Sequence, residues 1–263
     1  MNRKLILVEG LPGSGKTTTS KLVHQILFKK GFEPKLFVEG DLNHPADFES
    51  VACLSEIEYS EIKHQLPDES LVRKEGNDYL ISYGKLKEIP NELLEFLSKR
   101  DIYELPFERN QELIVNNWRK FAESADGVFV FECCFIQNPV TVGMIKYGVS
   151  DEKVSDYVEK LADKIRKLDP LLIYVSQDNL EFSFTKTVQE RPKEWSQFFV
   201  DYYTSQGFGK AHGLEGLEGT LAVLKARKAL EEKIIQRLDI PKVVINNSNY
   251  DLKEMTDILN TVL

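Results

Sequence analysis

The sequence has few cysteines, and their spacing does not suit a metal site. Cys53, Cys133 and Cys134 are the only three in 263 residues. An odd number of cysteines without ligand spacing indicates neither a disulfide framework nor a zinc centre. We therefore expect reduced cysteines that pack in the core as small apolar side chains.

An excess of basic residues and a long apolar run are also absent. The chain has 34 lysines and arginines against 42 aspartates and glutamates, which gives a net charge of −8. Nucleic-acid binding requires clustered positive charge, so we expect no nucleic-acid partner. The apolar run from Leu5 to Val8 is too short for a signal-peptide core or a membrane span. We expect no membrane association and a cytoplasmic location.

The remaining pattern alternates strands and helices. With 263 residues, 42% of them apolar, the chain fits one elaborated domain. Lys4 to Glu9 is typical of a parallel strand buried on both faces, and it runs into Gly10. A helix and a second strand at 34–39 complete a βαβ unit. Later apolar runs predict further strands at 128–131, 171–175 and 242–246.

Two stretches interrupt this alternation. Residues 42–126 are too many for one crossover helix and are rich in large apolar side chains, which predicts a folded insertion. Within it we expect a hairpin at 70–83 and a helix at 106–125. Residues 177–219 contain five of the fifteen glycines, which favours a lid that opens and closes. The expected core comprises 1–41 and 127–263, with this lid at about 177–219.

A glycine-rich motif stands between the first strand and the first helix. Gly10 to Thr17 reads GLPGSGKT, which matches GxxxxGK(S/T) in the context that the motif requires. Its backbone N–H groups and the helix N-terminus form an anion site, which predicts a nucleoside triphosphate as ligand. We expect Lys16, exposed until phosphates arrive, to reach the β- and γ-phosphates, and Thr17 to ligate Mg²⁺. The expected nucleotide-binding residues are Gly10, Pro12, Gly13, Ser14, Gly15, Lys16, Thr17 and Thr18.

On this motif the chain resembles the P-loop kinases, a group that includes nucleotide, nucleoside, shikimate and chloramphenicol kinases and the zeta toxins. Specific residues carry the resemblance from Lys4 to Asp41, and pattern alone carries it in the later strands. The resemblance implies an α/β three-layer sandwich whose five-stranded parallel sheet has the order 2-3-1-4-5. It also implies an acceptor-binding insertion after the second strand and an arginine-bearing lid before the fifth. The run Asn246 to Asn249 is not a guanine-specificity motif, which favours a kinase over a GTPase.

Acidic residues follow the second and third strands, where the carboxyl ends of parallel strands meet the ligand crevice. In kinases of this kind a carboxylate here accepts the proton of the attacking hydroxyl. We assign this role to Asp41, with Glu39 as the alternative, and the pattern does not separate them; both acids could instead cap the next turn. Glu132 ends a strand that resembles Walker B. It is expected to hold Mg²⁺ through water, to contact the acceptor or to activate water, unless it forms an ordinary ion pair.

Two further side chains complete the predicted site. His44 follows Asp41 closely, so it lines the acceptor site or stabilises a turn with Pro45. Arg191 is the preferred lid cation, because a guanidinium can bind two phosphate oxygens at once. The alternative for Arg191 is an exposed ion pair with a neighbouring glutamate.

These features predict an enzyme that transfers the γ-phosphoryl group of ATP to a small-molecule hydroxyl or phosphate. The acidic chain favours a hydroxyl-bearing, partly apolar acceptor over a strongly anionic one, and a nucleotide kinase is the runner-up among enzymes. The alternative from another class is a nucleotide-gated switch whose insertion binds a protein partner.

Overall fold

The structure is a computed structural model, and it describes residues 3–263. The chain divides into two compact units. The first comprises the chain up to Glu39 and from Ala122 to Leu263, and the second is Gly40–Phe121. The boundaries expected from the sequence lie at 41/42 and 126/127. The glycine loop and the predicted lid belong to the first unit.

Strands and helices alternate through most of the described chain, and short 3-10 turns connect several of them. The strands are β1 (Leu5–Gly10), β2 (Pro34–Phe37), β3 (Ala52–Ser55), β4 (Val72–Glu75), β5 (Asp78–Ile81), β6 (Val128–Glu132), β7 (Leu171–Ser176) and β8 (Lys242–Asn246). The helices are α1 (Lys16–Lys29), α2 (Glu56–Ile62), α3 (Asn91–Ser98), α4 (Phe107–Ser124), α5 (Gln137–Val140), α6 (Asp151–Ile165), α7 (Leu180–Glu190), α8 (Lys193–Thr204), α9 (Gly207–Ala211), α10 (Gly216–Arg237) and α11 (Leu252–Val262). A π-helical segment, Thr141–Lys146, continues directly from α5.

The first unit is built on a parallel sheet of five strands, as the sequence predicts. Its order is β2-β6-β1-β7-β8. The numerals differ from the predicted 2-3-1-4-5 because β3, β4 and β5 of the second unit intervene along the chain. Among the strands of this sheet alone, β6, β7 and β8 are the third, fourth and fifth.

Helices cover both faces of this sheet. All six residues of β1 are buried, as expected for a strand with two covered faces. Ile6 and Val8 share a core with Val23 of α1 and Leu259 of α11. On β7, whose side chains alternate between the faces, Tyr174 Oη donates to Glu231 of α10 at 2.7 Å. This arrangement is compatible with a three-layer sandwich.

N-terminal capping residues set the start of two predicted helices. Ser150 accepts a hydrogen bond from the Lys153 N–H and starts α6. Asp251 does the same for α11, where its carboxylate accepts from Lys253 and Glu254. Each such cap stabilises a helix by about 1 kcal/mol because it satisfies N–H groups that lack an intrahelical partner.

The second unit contains an antiparallel sheet with the order β3-β5-β4. The predicted hairpin is confirmed: β4 pairs with β5, and Gly76 in the turn has φ +61°. The predicted helix at 106–125 is confirmed as α4. Strand β3 was not predicted from the sequence. Its residues Ala52 and Leu54 pack in a core with Ile81 of β5 and Leu93 of α3.

The predicted lid stretch is largely helical, because α7, α8, α9 and the start of α10 occupy it. Two of its glycines permit close packing. A Cβ on Gly207 would lie 2.1 Å from the Ile145 carbonyl oxygen, and one on Gly209 would lie 2.1 Å from that of Tyr203. At these two positions glycine is required by close backbone neighbours, and the opening and closing of the lid stays a prediction. In the described residues, no helix has the length and apolar character needed to cross a membrane.

Candidate active site

The glycine loop joins β1 to α1, and two of its glycines are required by their surroundings. Gly13 has φ +80°, and a Cβ there would lie 2.3 Å from Thr187 Oγ1. Gly15 has φ +97°, and a Cβ there would lie 2.5 Å from Asn247 Nδ2. Side chains at either position would clash and strain the backbone. The loop conformation therefore depends on glycine.

Side chains outside the loop hold it at Ser14. Asn247 Nδ2 donates to the Ser14 carbonyl oxygen at 2.8 Å, and Gln177 Nε2 donates to the same oxygen at 3.4 Å. Gln177 Nε2 also donates to the Asn247 carbonyl at 2.9 Å. In contrast, the buried Ser14 Oγ has no hydrogen-bond partner among the described residues. Buried hydroxyl groups are normally paired, so Ser14 Oγ is an exception within the loop.

Lys16 is the buried cation of the loop, and the expectation that it is exposed is wrong. Its side chain is 7% exposed, and Nζ donates to the Leu11 carbonyl oxygen at 3.0 Å. Burial by itself lowers the pKa of Lys16, but neighbouring groups, first Cys133 and then Glu39 and Glu9, outweigh it and raise the pKa above its ordinary value. Lys16 therefore remains an ammonium ion although it is buried.

Thr17 and Glu132 meet at the start of α1. Thr17 Oγ1 donates to Glu132 Oε1 at 2.5 Å, and Ser20 Oγ donates to Oε2 at 3.4 Å. Hydroxyl and carboxylate oxygens are ligands that Mg²⁺ prefers, and this ion usually keeps several waters. Across residues 3–263 no group of three or more His, Cys, Asp or Glu forms a metal cluster. Thr17 and Glu132 therefore fit a site with few protein ligands.

Glu9, at the end of β1, is a buried acid that the sequence interpretation did not single out. Its Oε1 accepts from the Phe135 N–H at 2.7 Å, and Oε2 accepts from the Gln137 N–H at 3.0 Å. Burial is the largest influence and raises the pKa of Glu9 from 4.5 to about 7, although the backbone hydrogen bonds oppose it. Glu9 thus anchors the start of α5 and titrates near neutrality.

We expect Glu9→Gln to flatten the pH dependence of stability between pH 5 and pH 7. The folded protein retains the Glu9 proton up to about pH 7, whereas the unfolded chain releases it near pH 4.5. Wild-type stability therefore falls as pH rises through this window, by about 2 to 3 kcal/mol from this group. Glutamine resembles the protonated acid and does not titrate. The stability of the variant should therefore not show this fall between pH 5 and pH 7.

Urea unfolding at pH 5 and pH 7 measures this effect. The matched control is Glu33→Gln, because Glu33 is an exposed residue of the same unit. A Glu9→Gln variant that loses as much stability as the wild type between the two pH values contradicts the assignment.

Glu39 and Gln137 form a polar pair beside the loop. Gln137 Nε2 donates to Glu39 Oε1 at 2.7 Å. Glu39 also interacts electrostatically with Lys16, and all three side chains line one cavity. Of the two candidate bases, Glu39 is therefore the one that lines the same cavity as the glycine loop.

Asp41 and His44 belong to the second unit and take part in local turns. The Asp41 carboxylate accepts from the Asn43 N–H at 2.8 Å. His44 Nδ1 accepts from the Asp47 N–H at 2.8 Å. Burial lowers the pKa of His44 to about 3, so the ring is neutral and can act as this acceptor. These contacts match the turn interpretation of both residues.

Arg227 of α10 is a fully buried cation that sequence reasoning missed. Its Nε donates to Glu231 at 2.6 Å, and Nη1 donates to Tyr203 Oη at 2.6 Å and to Thr141 Oγ1 at 3.2 Å. Nη2 donates to the Gln137 carbonyl oxygen at 3.4 Å. One guanidinium thus joins α10 to α8, to α5 and to the π-helical segment. Short π-helical turns are frequent at functional sites.

Arg191 lies between α7 and α8, on the face of an aromatic ring. Its guanidinium carbon is 5.6 Å from the centre of the Trp195 ring. Nearby, Lys186 Nζ lies 3.9 Å from the centre of the Tyr250 ring. Both cations line the same cavity as Lys16. The predicted lid arginine is therefore found in that cavity.

This cavity has a volume of about 750 Å³, and every residue that lines it belongs to the first unit. Its lining includes the glycine loop with Lys16, Thr17 and Glu132. It also includes Glu39, Gln137 and several aromatic side chains of α8. The volume is in the range of ligand sites, and the polar groups converge from several elements.

Comparisons with known proteins assign neither a family nor a function to this chain. No protein-family model matches this chain, and no curated protein matches it. The resemblance to P-loop kinases therefore depends on GLPGSGKT and its position between β1 and α1. Function is inferred from the geometry and chemistry of the cavity.

The two missed residues left signals in the sequence. Arg227 stands four residues before Glu231 on a helix whose apolar residues Val223, Leu224 and Leu230 are buried. An opposite-charge pair on an apolar helix face is a signal for a buried ion pair. Glu9 ends an apolar strand at the carboxyl edge of the sheet, where functional acids collect.

Proposed function

We propose that this protein is an ATP-dependent phosphotransferase that moves the γ-phosphoryl group to the hydroxyl group of a small molecule. The observation that carries the proposal is one cavity that contains Lys16, the Thr17–Glu132 pair and Glu39. A phosphate-binding loop, a metal-compatible pair and a candidate base are the parts that phosphoryl transfer requires.

The loop is suited to the phosphates of ATP. Gly13 and Gly15 line the cavity, and the absence of side chains there lets a ligand approach the loop backbone. Lys16 is charged and needs only to exchange its Leu11 carbonyl acceptor for phosphate oxygens. Such a lysine, held in place before the reaction, stabilises the charge that develops on the transferred group.

Mg²⁺ would be held by Thr17 Oγ1, with Glu132 binding it directly or through a water. When bound, the ion neutralises charge on the β- and γ-phosphates. Ser20 keeps Glu132 oriented, because its hydroxyl contacts the second carboxylate oxygen. Arg191 and Lys186 supply further positive charge to the same cavity.

Glu39 is the base in this proposal. The acceptor oxygen forms a bond to the γ-phosphorus, and the bond from that phosphorus to the β–γ bridging oxygen breaks, so ADP leaves with that electron pair. The acceptor proton passes to the Glu39 carboxylate and then to water. Gln137 orients Glu39 by its hydrogen bond at 2.7 Å.

Mg²⁺-dependent ADP production that rises when an acceptor is added tests this function. A phosphotransferase produces ADP and phosphorylated acceptor in equal amounts. A nucleotide-gated switch instead hydrolyses ATP at a rate that small molecules do not change. Equal ADP production with and without every hydroxyl compound tried would favour the switch.

We expect Thr17→Ala to raise the Mg²⁺ concentration needed for half-maximal turnover by at least about tenfold, the loss typical of perturbed metal sites. The reason is that the variant lacks the hydroxyl oxygen proposed as ligand. Thr261→Ala is the control, because Thr261 is an exposed threonine of α11 that does not line the cavity. An unchanged Mg²⁺ titration for Thr17→Ala would remove Thr17 from the metal site.

A further inference from the structure

A row of aromatic rings on α8 forms one wall of the cavity. Trp195, Phe199 and Tyr203 are spaced by four residues, which places them on one helix face. The ring centres of Trp195 and Phe199 are 5.0 Å apart, and those of Phe199 and Tyr203 are 4.1 Å apart. Both pairs are stacked, and all three residues line the cavity. We refer to these three residues as the ring row.

The ring row is not simply part of a closed core. Trp195 and Phe199 are half-buried, whereas the other tryptophan, Trp118, is fully buried in the second unit. Phe198, next to the row, lines the same cavity and is 69% exposed. Aromatic side chains that remain accessible inside a cavity are typical of sites that bind a ring-bearing ligand.

Hydrogen bonds fix the inner end of the ring row. Tyr203 Oη accepts from Arg227, whose charge is paired with Glu231. The same arginine donates to the carbonyl of Gln137, the residue whose side chain contacts Glu39. The aromatic wall and the candidate base are therefore connected through one buried guanidinium. A rigid wall of this kind loses little conformational freedom when a ligand binds.

The charges around the ring row favour an uncharged ligand. Arg227 is already paired with Glu231 at 2.6 Å. Glu39 places a negative charge beside the row, and it would repel a phosphate or carboxylate on the acceptor. Arg191 and Lys186 also line the cavity, and in the proposed function they meet the phosphates of ATP. An anionic acceptor would thus find a like charge and no cation reserved for it.

We propose that the acceptor is an uncharged alcohol with a planar aromatic ring, and that this ring packs against Trp195 and Phe199 while its hydroxyl group reaches Glu39 and Gln137. The inference rests on the proposed function, because it names the substrate class of the same cavity. Aromatic rings attract each other edge-to-face or in offset stacks beyond the gain from buried area. A saturated ring of the same shape lacks that attraction.

Equilibrium dialysis of the full chain, without ATP or Mg²⁺, tests the inference. The probe is 2-naphthylmethanol, and it is compared with its ring-saturated decahydro analogue and with its phosphate monoester. The variants are Phe199→Leu and Trp195→Leu, which keep an apolar side chain. Phe182→Leu is the control, because Phe182 is an exposed ring on α7 that does not line the cavity.

We expect the wild type and Phe182→Leu to bind 2-naphthylmethanol equally. Phe199→Leu and Trp195→Leu should each weaken binding by about three- to tenfold, and the saturated analogue should bind more weakly by a similar factor. The phosphate monoester should bind more weakly than the alcohol. Circular dichroism establishes that each variant is folded.

Three results would overturn the inference: equal binding of the saturated analogue, tighter binding of the phosphate monoester, or 2-naphthylmethanol binding that neither α8 variant changes. The absence of any 2-naphthylmethanol binding would overturn it as well. Because the dialysis contains no nucleotide, its outcome is separate from the proposed function. A protein that binds the aromatic alcohol but never produces ADP would contradict phosphoryl transfer only.

Discussion

Lys16→Ala is expected to reduce acceptor-dependent ADP production by about 10²- to 10³-fold, the usual effect of removing one preorganised donor from a developing anion. Lys16 is already charged and buried beside the loop, so it requires little rearrangement to meet phosphate oxygens. The substitution leaves the Leu11 carbonyl without this donor, which costs about 1 kcal/mol of folding stability. Alanine suits the first turn of α1, so the fold should persist.

Initial rates at saturating Mg²⁺-ATP measure the loss in turnover, and thermal unfolding measures the change in stability. Lys21→Ala is the matched control, because Lys21 is an exposed lysine on the same helix. Near wild-type turnover in Lys16→Ala, together with a normal response to Mg²⁺, would remove the loop from the catalytic site.

Glu39→Gln is expected to lower turnover by about 10²- to 10⁴-fold, the range for loss of a general base. Glutamine keeps the size of the side chain and can still meet Gln137, but it does not accept a proton. Affinity for Mg²⁺-ATP should change little, because Lys16, Thr17 and the loop amides carry the phosphates. The variant should therefore show a fall in kcat with nearly constant nucleotide KM.

Asp41→Asn is the comparison that decides between the two acids. The sequence assigns the base to Asp41 first, whereas Glu39 lines the cavity with Lys16. Steady-state kinetics of both variants, with ATP and acceptor varied separately, should show the large loss in Glu39→Gln alone. A loss confined to Asp41→Asn would return the role to Asp41 and would contradict the base assigned in the proposed function.

The five strands of the parallel sheet and the glycine loop were predictable because each has a local cause in the sequence. A buried parallel strand requires a continuous apolar run, which Leu5 to Val8 provides, and the glycine motif requires a strand before it and a helix after it. Caps at Ser150 and Asp251 likewise act within a few residues. Such signals are readable in one sequence because no distant contact is needed.

The environment of the site was less predictable because it depends on long-range packing. Arg227 meets Thr141 and Gln137 across separations of 86 and 90 residues. Position after a strand does not reveal whether Glu39 or Asp41 faces a cavity. The sequence also does not reveal the close backbone neighbours that require glycine at positions 207 and 209.

The buried ion pair of Arg227 and Glu231 constrains how this sequence can diverge. Loss of the arginine alone would leave Glu231 as an unpaired buried charge, which costs roughly 3 to 5 kcal/mol. Lysine is a poor replacement, because it lacks the planar fork that contacts several helices at once. Simultaneous replacement by apolar residues leaves no buried charge and is less costly, although Tyr203 and Tyr174 then lose a hydrogen-bond partner. Descendants of this chain should therefore either keep both charges or lose both together, and the two positions should covary.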